Sequence, residues 1–165
     1  MKNILNDIVE VKKAEIAELH KQFTYSRFAD SEYFDKKRIS LFEALKIEKQ
    51  ISIIAEIKRA SPSRGIIRED FNHLKIAETY IENEVESISI LTDKHFFKGN
   101  IQYLKEVAGI KTIPLLRKDF ILDDFQVLEA KSNGADAILL ISEILSAAQI
   151  QELTHAAYEA DLEVL

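Results

Sequence analysis

Apolar residues near the start of the chain recur three, four or seven positions apart. Ile4, Ile8, Val9, Ile16, Leu19 and Phe23 fall at helical spacing, with Lys and Glu between them. The pattern predicts a long first helix and a second, short one over 39–49. From Ile53 onward the pattern changes. Short apolar, β-rich runs occupy 53–57, 87–91, 112–116, 137–141 and 162–165. From the second run on they begin about 25 residues apart, the size of one strand–helix unit.

Helical stretches fill the gaps. Over 71–85, Leu74, Ala77 and Ile81 share one face. Asn100 can cap a helix carrying Ile101, Leu104 and Val107. Asp123 or Asp124 can cap the next, which stops at Asn133-Gly134. Ser146 with Gln149 forms a capping-box pattern ahead of Ile150 and Leu153. Nearly all-apolar strands alternating with helices imply a parallel sheet covered by helices.

An open doubly wound sheet and a (β/α)8 barrel both fit this order. No glycine-rich phosphate loop follows the first strand, which weighs against the nucleotide-binding form of the open sheet. A full barrel uses about 250 residues. The 165 residues here supply four β-α units and enter a fifth strand. The expectation is an α/β (β/α)8 TIM barrel with an N-terminal helical extension, here incomplete. The extension is assigned to 1–50 and the partial barrel to 51–165, either as a fragment or as a chain that ends abnormally. The alternative is a complete small α/β domain with its last strand at an edge.

Composition narrows the partners. At 47% hydrophobic and 30% charged, the chain suits one globular domain with a sizeable core. The net charge is -6 and the basic residues form no long run, so nucleic acid is not an expected partner. There are no cysteines for disulfides or thiolate metal sites, and only 4 Gly and 2 Pro. No apolar run is long enough to span a membrane and no signal-type segment opens the chain; both fit a cytoplasmic location.

The chemistry concentrates at predicted strand ends. Glu56 and Lys58 share a strand face with Ile54, while Ile53, Ala55 and Ile57 share the other. Two opposite charges on a buried strand need a pairing or a use. Lys118 shares parity with Leu116 and Pro114. If that face points inward, it lies near Lys58 at the end of a barrel where such enzymes keep their active sites. Neighbouring ammonium groups lower each other's pKa, which suits a lysine for acid catalysis or for a Schiff base. Glu56 could hold one of the pair charged. The plainer reading is a set of ion pairs that fixes register. Phe96 and Phe97, in the loop after the second strand, could stack on an aromatic ligand or simply pack under the loop. Ser61-Pro62-Ser63-Arg64-Gly65 could bind an anion or form only a turn. His20, His73 and His155 lie in predicted helices, and with His95 they show no ligand set, so no metal is expected.

Several segments together resemble the indole-3-glycerol-phosphate synthase family. The run from Ile54 to Ser63, Ile-Ala-Glu-Ile-Lys-Arg-Ala-Ser-Pro-Ser, is similar to its signature. Leu91-Thr92-Asp93, Phe97-Lys98-Gly99, Leu116-Arg117-Lys118-Asp119-Phe120 and the run from Gly134 to Leu140 follow in the family's order. The resemblance spans nearly the whole chain. It implies a barrel fold, no cofactor, and conversion of 1-(2-carboxyphenylamino)-1-deoxyribulose 5-phosphate to indole-3-glycerol phosphate in tryptophan biosynthesis. By position, Lys118 would be the general acid, Lys58 would orient the anionic substrate, and Glu56 would hold the lysines. Phe97, Phe120 and Leu139 would line the ring pocket, and Ser61 would help close the site. The family's general base would fall two positions past Leu165. The 165-residue chain alone is therefore expected to be inactive and to associate through an open barrel edge. Two other readings stand beside this one. One is a Schiff-base, aldolase-like lyase using Lys118. The other is a non-catalytic partial barrel that binds an anionic aromatic ligand.

Overall fold

The computed structural model describes residues 4–46 and 51–165. Helix α1 (Ile4–Gln22) is followed by α2 (Tyr25–Ala29) and α3 (Leu41–Leu45). Strand β1 (Ile54–Ile57) leads into a small antiparallel hairpin, β2 (Ala60–Ser61) and β3 (Gly65–Ile66). Then α4 (His73–Glu82), β4 (Ser87–Leu91), α5 (Ile101–Ala108), β5 (Leu115–Lys118), α6 (Asp124–Ser132), β6 (Ala137–Ile138), α7 (Ala147–Glu159) and β7 (Glu163–Val164) alternate. The main sheet runs β1-β4-β5-β6-β7 with every pairing parallel. This order has no reversal and hence no switch point of the kind an open doubly wound sheet uses for its ligand.

The helix ends follow the predicted chemistry. Asn100 accepts from the Gln102 amide at 3.0 Å, and Asp123 caps α6 through the Phe125 amide at 2.9 Å. Ser146 and Gln149 make a reciprocal capping box on α7. Gly134, just past α6, has φ +82, and a Cβ there would lie 2.4 Å from that of Ala108. A side chain is therefore excluded twice, by backbone strain and by space.

Boundaries differ from expectation at several points. The strand predicted over 112–116 lies at Leu115–Lys118, because Arg117 and Lys118 find partners that a local reading cannot see. The run over 137–141 pairs as a strand only at Ala137–Ile138, although the Leu140 amide still donates to Leu165 O at 3.0 Å. The run over 162–165 gives Glu163–Val164. The helix expected over 39–49 is capped by Ser40 and covers Leu41–Leu45; residues 47–50 lie outside the described residues. The helix Tyr25–Ala29 and the hairpin were not anticipated. Gly65, at φ +63, lets the Ser-Pro-Ser turn reverse the chain.

Strand parity splits the core in two. Ile57, Ile88, Ile90, Leu115 and Ile138 join Leu104, Val107, Val127, Leu153 and Leu162 in the larger cluster, between sheet and helices. Leu116 and Ala137 face the other way and pack against Leu41, with Leu45 and Leu139 beside them. Leu41 thus sits beneath the inner sheet face at the N-terminal end of the strands. Arg38, Ile39, Ser40 and Phe42 are tied there. The Ile39 amide donates to Asp136 Oδ1 at 2.7 Å, and Ser40 Oγ donates to Glu163 Oε1 at 2.6 Å. The Phe42 amide donates to Glu163 Oε2 at 2.8 Å, and Arg38 Nε donates to Glu163 Oε1 at 3.3 Å.

Candidate active site

At the opposite end, the inner face carries charge. Glu56 on β1 points the same way as Leu116 and Lys118 on β5. Its carboxylate takes one ammonium on each oxygen: Lys58 Nζ donates to Oε1, and Lys118 Nζ donates to Oε2 at 3.1 Å. Partial burial pushes the Glu56 carboxyl up, but hydrogen bonds and charge from Lys58 and Lys118 outweigh it and hold the group below its ordinary range. The trio is part-buried, with its lysines 33% and 41% exposed at the side chain, and remains open to a ligand.

The trio opens onto a cavity of about 230 Å³. Phe97, from the loop after β4, and Phe120, just past β5, stand with ring centroids 6.1 Å apart, and Leu139 completes the apolar wall. Leu91, Ile141 and Asp119 also line it, none of which was expected from the sequence as a site residue. Ser61 does not reach this cavity. It sits half-buried in the hairpin, 3.5 Å from Ser63 through their hydroxyls. Six of the seven singled-out residues thus converge: Glu56, Lys58, Lys118, Phe97, Phe120 and Leu139.

Arg117 has the opposite parity and faces the helices. It is 3% exposed and donates to Gln126 O at 2.8 Å, Glu129 Oε2 at 2.7 Å, Thr92 Oγ1 at 3.1 Å and Asp119 Oδ2 at 3.1 Å. Burial works to raise the Asp119 carboxyl, yet Arg117 and Lys12 overcome it and lower the pKa from 3.8 to about 2. A larger cavity of about 380 Å³ lies beyond Asp119, under α1. Its buried cations, Lys12 and Arg117, are each held by two or more carboxylates, whereas the two part-exposed lysines of the smaller cavity share a single carboxylate, so the smaller cavity offers the better site for an anionic aromatic ligand.

Elsewhere, His20, Asp123 and Asp124 bring possible ligand atoms within 4.8 Å of one another. Asp123 is the α6 cap and meets His20 Nε2 at 2.9 Å, while the His20 ring stacks on Phe125 at 3.8 Å. Capping and stacking account for the grouping. Among the described residues, no helix is long and apolar enough to cross a membrane.

The model of the indole-3-glycerol phosphate synthase family matches residues 5–165. The chain belongs to the indole-3-glycerol phosphate synthase family. It is 44% identical over 167 residues to an indole-3-glycerol phosphate synthase of Campylobacter jejuni subsp. jejuni serotype O:23/36, covering 98% of this chain and 64% of that protein. It is 52% identical over 118 residues to one from Aliarcobacter butzleri, covering 72% of the chain and 45% of the relative. A third, from Delftia acidovorans, is 38% identical over 173 residues, with 100% and 65% covered. The chain thus spans a little under two thirds of the length of the Campylobacter and Delftia synthases, and its match covers less than half of the Aliarcobacter one. Its parallel strands in sequential order, the first four of the sheet each followed by a helix, are an incomplete run of the synthase family's α/β barrel.

Proposed function

We propose that the protein is an indole-3-glycerol phosphate synthase, a carboxy-lyase of tryptophan biosynthesis working in the cytoplasm. Its substrate is 1-(2-carboxyphenylamino)-1-deoxyribulose 5-phosphate. Residues 1–50 serve as an extension that closes and buttresses a barrel beginning at residue 51. The observation that carries the proposal is the Lys58–Glu56–Lys118 bridge at the mouth of a cavity walled by two phenylalanines. An aromatic ring fits between apolar walls, and an anionic, oxygen-rich chain fits beside two ammonium groups.

In the reaction, the ring carbon bearing the carboxylate attacks the ketone carbon of the sugar-derived chain. Lys118 donates a proton to the oxygen that gains charge. Loss of carbon dioxide restores the aromatic ring; the hydroxyl then leaves as water with a proton from a lysine, while the ring methylene beside the nitrogen gives up a proton to solvent, and the double bond so formed completes the indole. Lys58 orients the anionic substrate, and Glu56 holds both ammonium groups in place. A positioned donor in a water-poor site is worth most where charge develops on oxygen. An ammonium that donates to a carboxylate suits this acid role better than that of a Schiff-base nucleophile, which needs a free amine.

The test is fluorescence-detected formation of indole-3-glycerol phosphate by the full-length natural protein, since residues 1–165 alone are expected to be inactive. Lys118→Ala is expected to lower turnover by about 10²–10⁴-fold. Absence of product from the unmodified protein, or a borohydride-trapped adduct on Lys118, would overturn the proposal.

A further inference from the structure

Lys12 lies on α1, outside the 230 Å³ cavity, yet is only 2% exposed. Its Nζ stands 3.0 Å from Asp93 Oδ2 and 2.8 Å from Asp119 Oδ1, and it donates to Glu15 Oε2 at 2.7 Å. The two aspartates follow β4 and β5. Each passes the contact to a wall of the cavity. Asp93 Oδ1 accepts from the amides of Phe96 at 2.7 Å and Phe97 at 3.0 Å. Asp119 Oδ1 accepts from the amide of Phe120 at 2.8 Å. One ammonium on the first helix therefore sits at the junction of two short chains of contacts, one ending at each ring.

The two chains are not equally supported. Asp119 also receives Thr92 Oγ1 at 2.5 Å and Arg117 Nη2 at 3.1 Å on its other oxygen. Asp93 is fully buried, and its Oδ2 has no hydrogen-bond partner among the described residues; the ion pair with Lys12 is what faces it. A buried carboxylate that loses its counter-charge must take up a proton, admit water or move. Any of these disturbs the loop that Asp93 holds, whereas Asp119 keeps Arg117.

We infer that Lys12 is a positioning residue that sets the spacing of Phe97 and Phe120, with Phe97 the more dependent of the two. This deepens the synthase reading and rests on it only for the identity of the ring bound between them.

The test uses the intact protein labelled with 4-fluorophenylalanine, with the ¹⁹F resonances of residues 97 and 120 assigned through Phe97→Leu and Phe120→Leu. Lys12→Met is expected to displace the Phe97 resonance clearly and the Phe120 resonance less, while Lys12→Arg leaves both near their original positions. Should Lys12→Met fail to fold, Lys12→Gln, whose amide can still donate to one aspartate, is read in its place with the same expectation. In turnover, the neutral variant should raise KM about tenfold with kcat within about threefold, as loss of ring positioning in both ground and transition states requires. A folded neutral variant with both resonances unmoved overturns the inference, because Lys12 would then contribute stability alone. An unmodified protein that makes no product defeats the synthase reading instead, and the resonances still decide the role of Lys12 because they need no substrate.

Discussion

Glu56 and Lys118 are 62 positions apart in the chain and meet at 3.1 Å, bridging from β1 to β5 across the intervening β4. Because the other carboxylate oxygen holds Lys58, removing the charge on Glu56 frees two ammonium groups at once. Glu56→Gln is expected to lower kcat/KM by about 10²-fold, the scale of a lost charge-assisted contact in each of two pairs. Steady-state kinetics beside a melting curve would check this. A variant that melts early yet turns over normally would show that the trio is structural.

Gly99 closes the loop that carries Phe97. A Cβ there would stand 2.3 Å from Leu91 O and 2.9 Å from Asp93 O, both rigid backbone atoms. The Gly99 amide also donates to Asp93 O at 2.7 Å. Gly99→Ala should cost about 1–3 kcal/mol in urea unfolding and raise KM, since the loop can relieve the clash only by moving Phe97. A stability within experimental error of the parent would contradict the close approach.

Leu41 and Phe42 are neighbours with opposite fates, one 4% exposed and the other 63%. Leu41→Ala should destabilise by about 2–5 kcal/mol because it empties the space under Leu116 and Ala137. Phe42→Ala should stay within about 0.5 kcal/mol. Equal costs would mean that the segment is not seated on the sheet as described.

Asp119 predicts an acid sensitivity. Its carboxyl is lowered from 3.8 to about 2 in the folded protein. The resulting stabilisation is on the order of 2 kcal/mol, fully present above about pH 4 and lost as the pH falls toward 2. Urea midpoints from pH 6 to 2.5 should fall steeply at the acid end. Asp119→Asn should be less stable at pH 6, with Lys12 and Arg117 left short of a partner, and the gap to the parent should narrow as acid is added. A constant gap across that range would rule out this linkage.

The elements that were legible in the sequence are those whose causes are local. Asn100, Ser146 and Gln149 cap helices through bonds only two or three residues long. The alternation that paired Glu56 with Lys58, and Lys118 with Leu116, follows from the strand's two-residue period alone. What escaped depends on distant partners. Lys12 reads as one of several polar residues on an amphipathic helix, and only Asp93 and Asp119, more than 80 positions away, draw it into the interior. Arg117 looks like the end of an apolar run until Glu129 and Gln126 on α6 supply its partners. Ser61 entered the expected site only through the family resemblance; the Ser-Pro-Ser segment folds as a hairpin, and Ser61 is not among the residues that line the 230 Å³ cavity.

The carboxylate of Glu163 joins Phe42 and Arg38 to a strand 121 and 125 positions further along. During synthesis the early segment therefore waits, unseated, while four strands are made, and its docking depends on the arrival of the fifth. Contacts that span so much chain cost the most loop entropy and form late. In pulse-labelled exchange during refolding, the Phe42 amide should be protected after those of β4 and β5. The seal at one end of the barrel is thus also a checkpoint in its assembly, closing only when the strands above it are already paired.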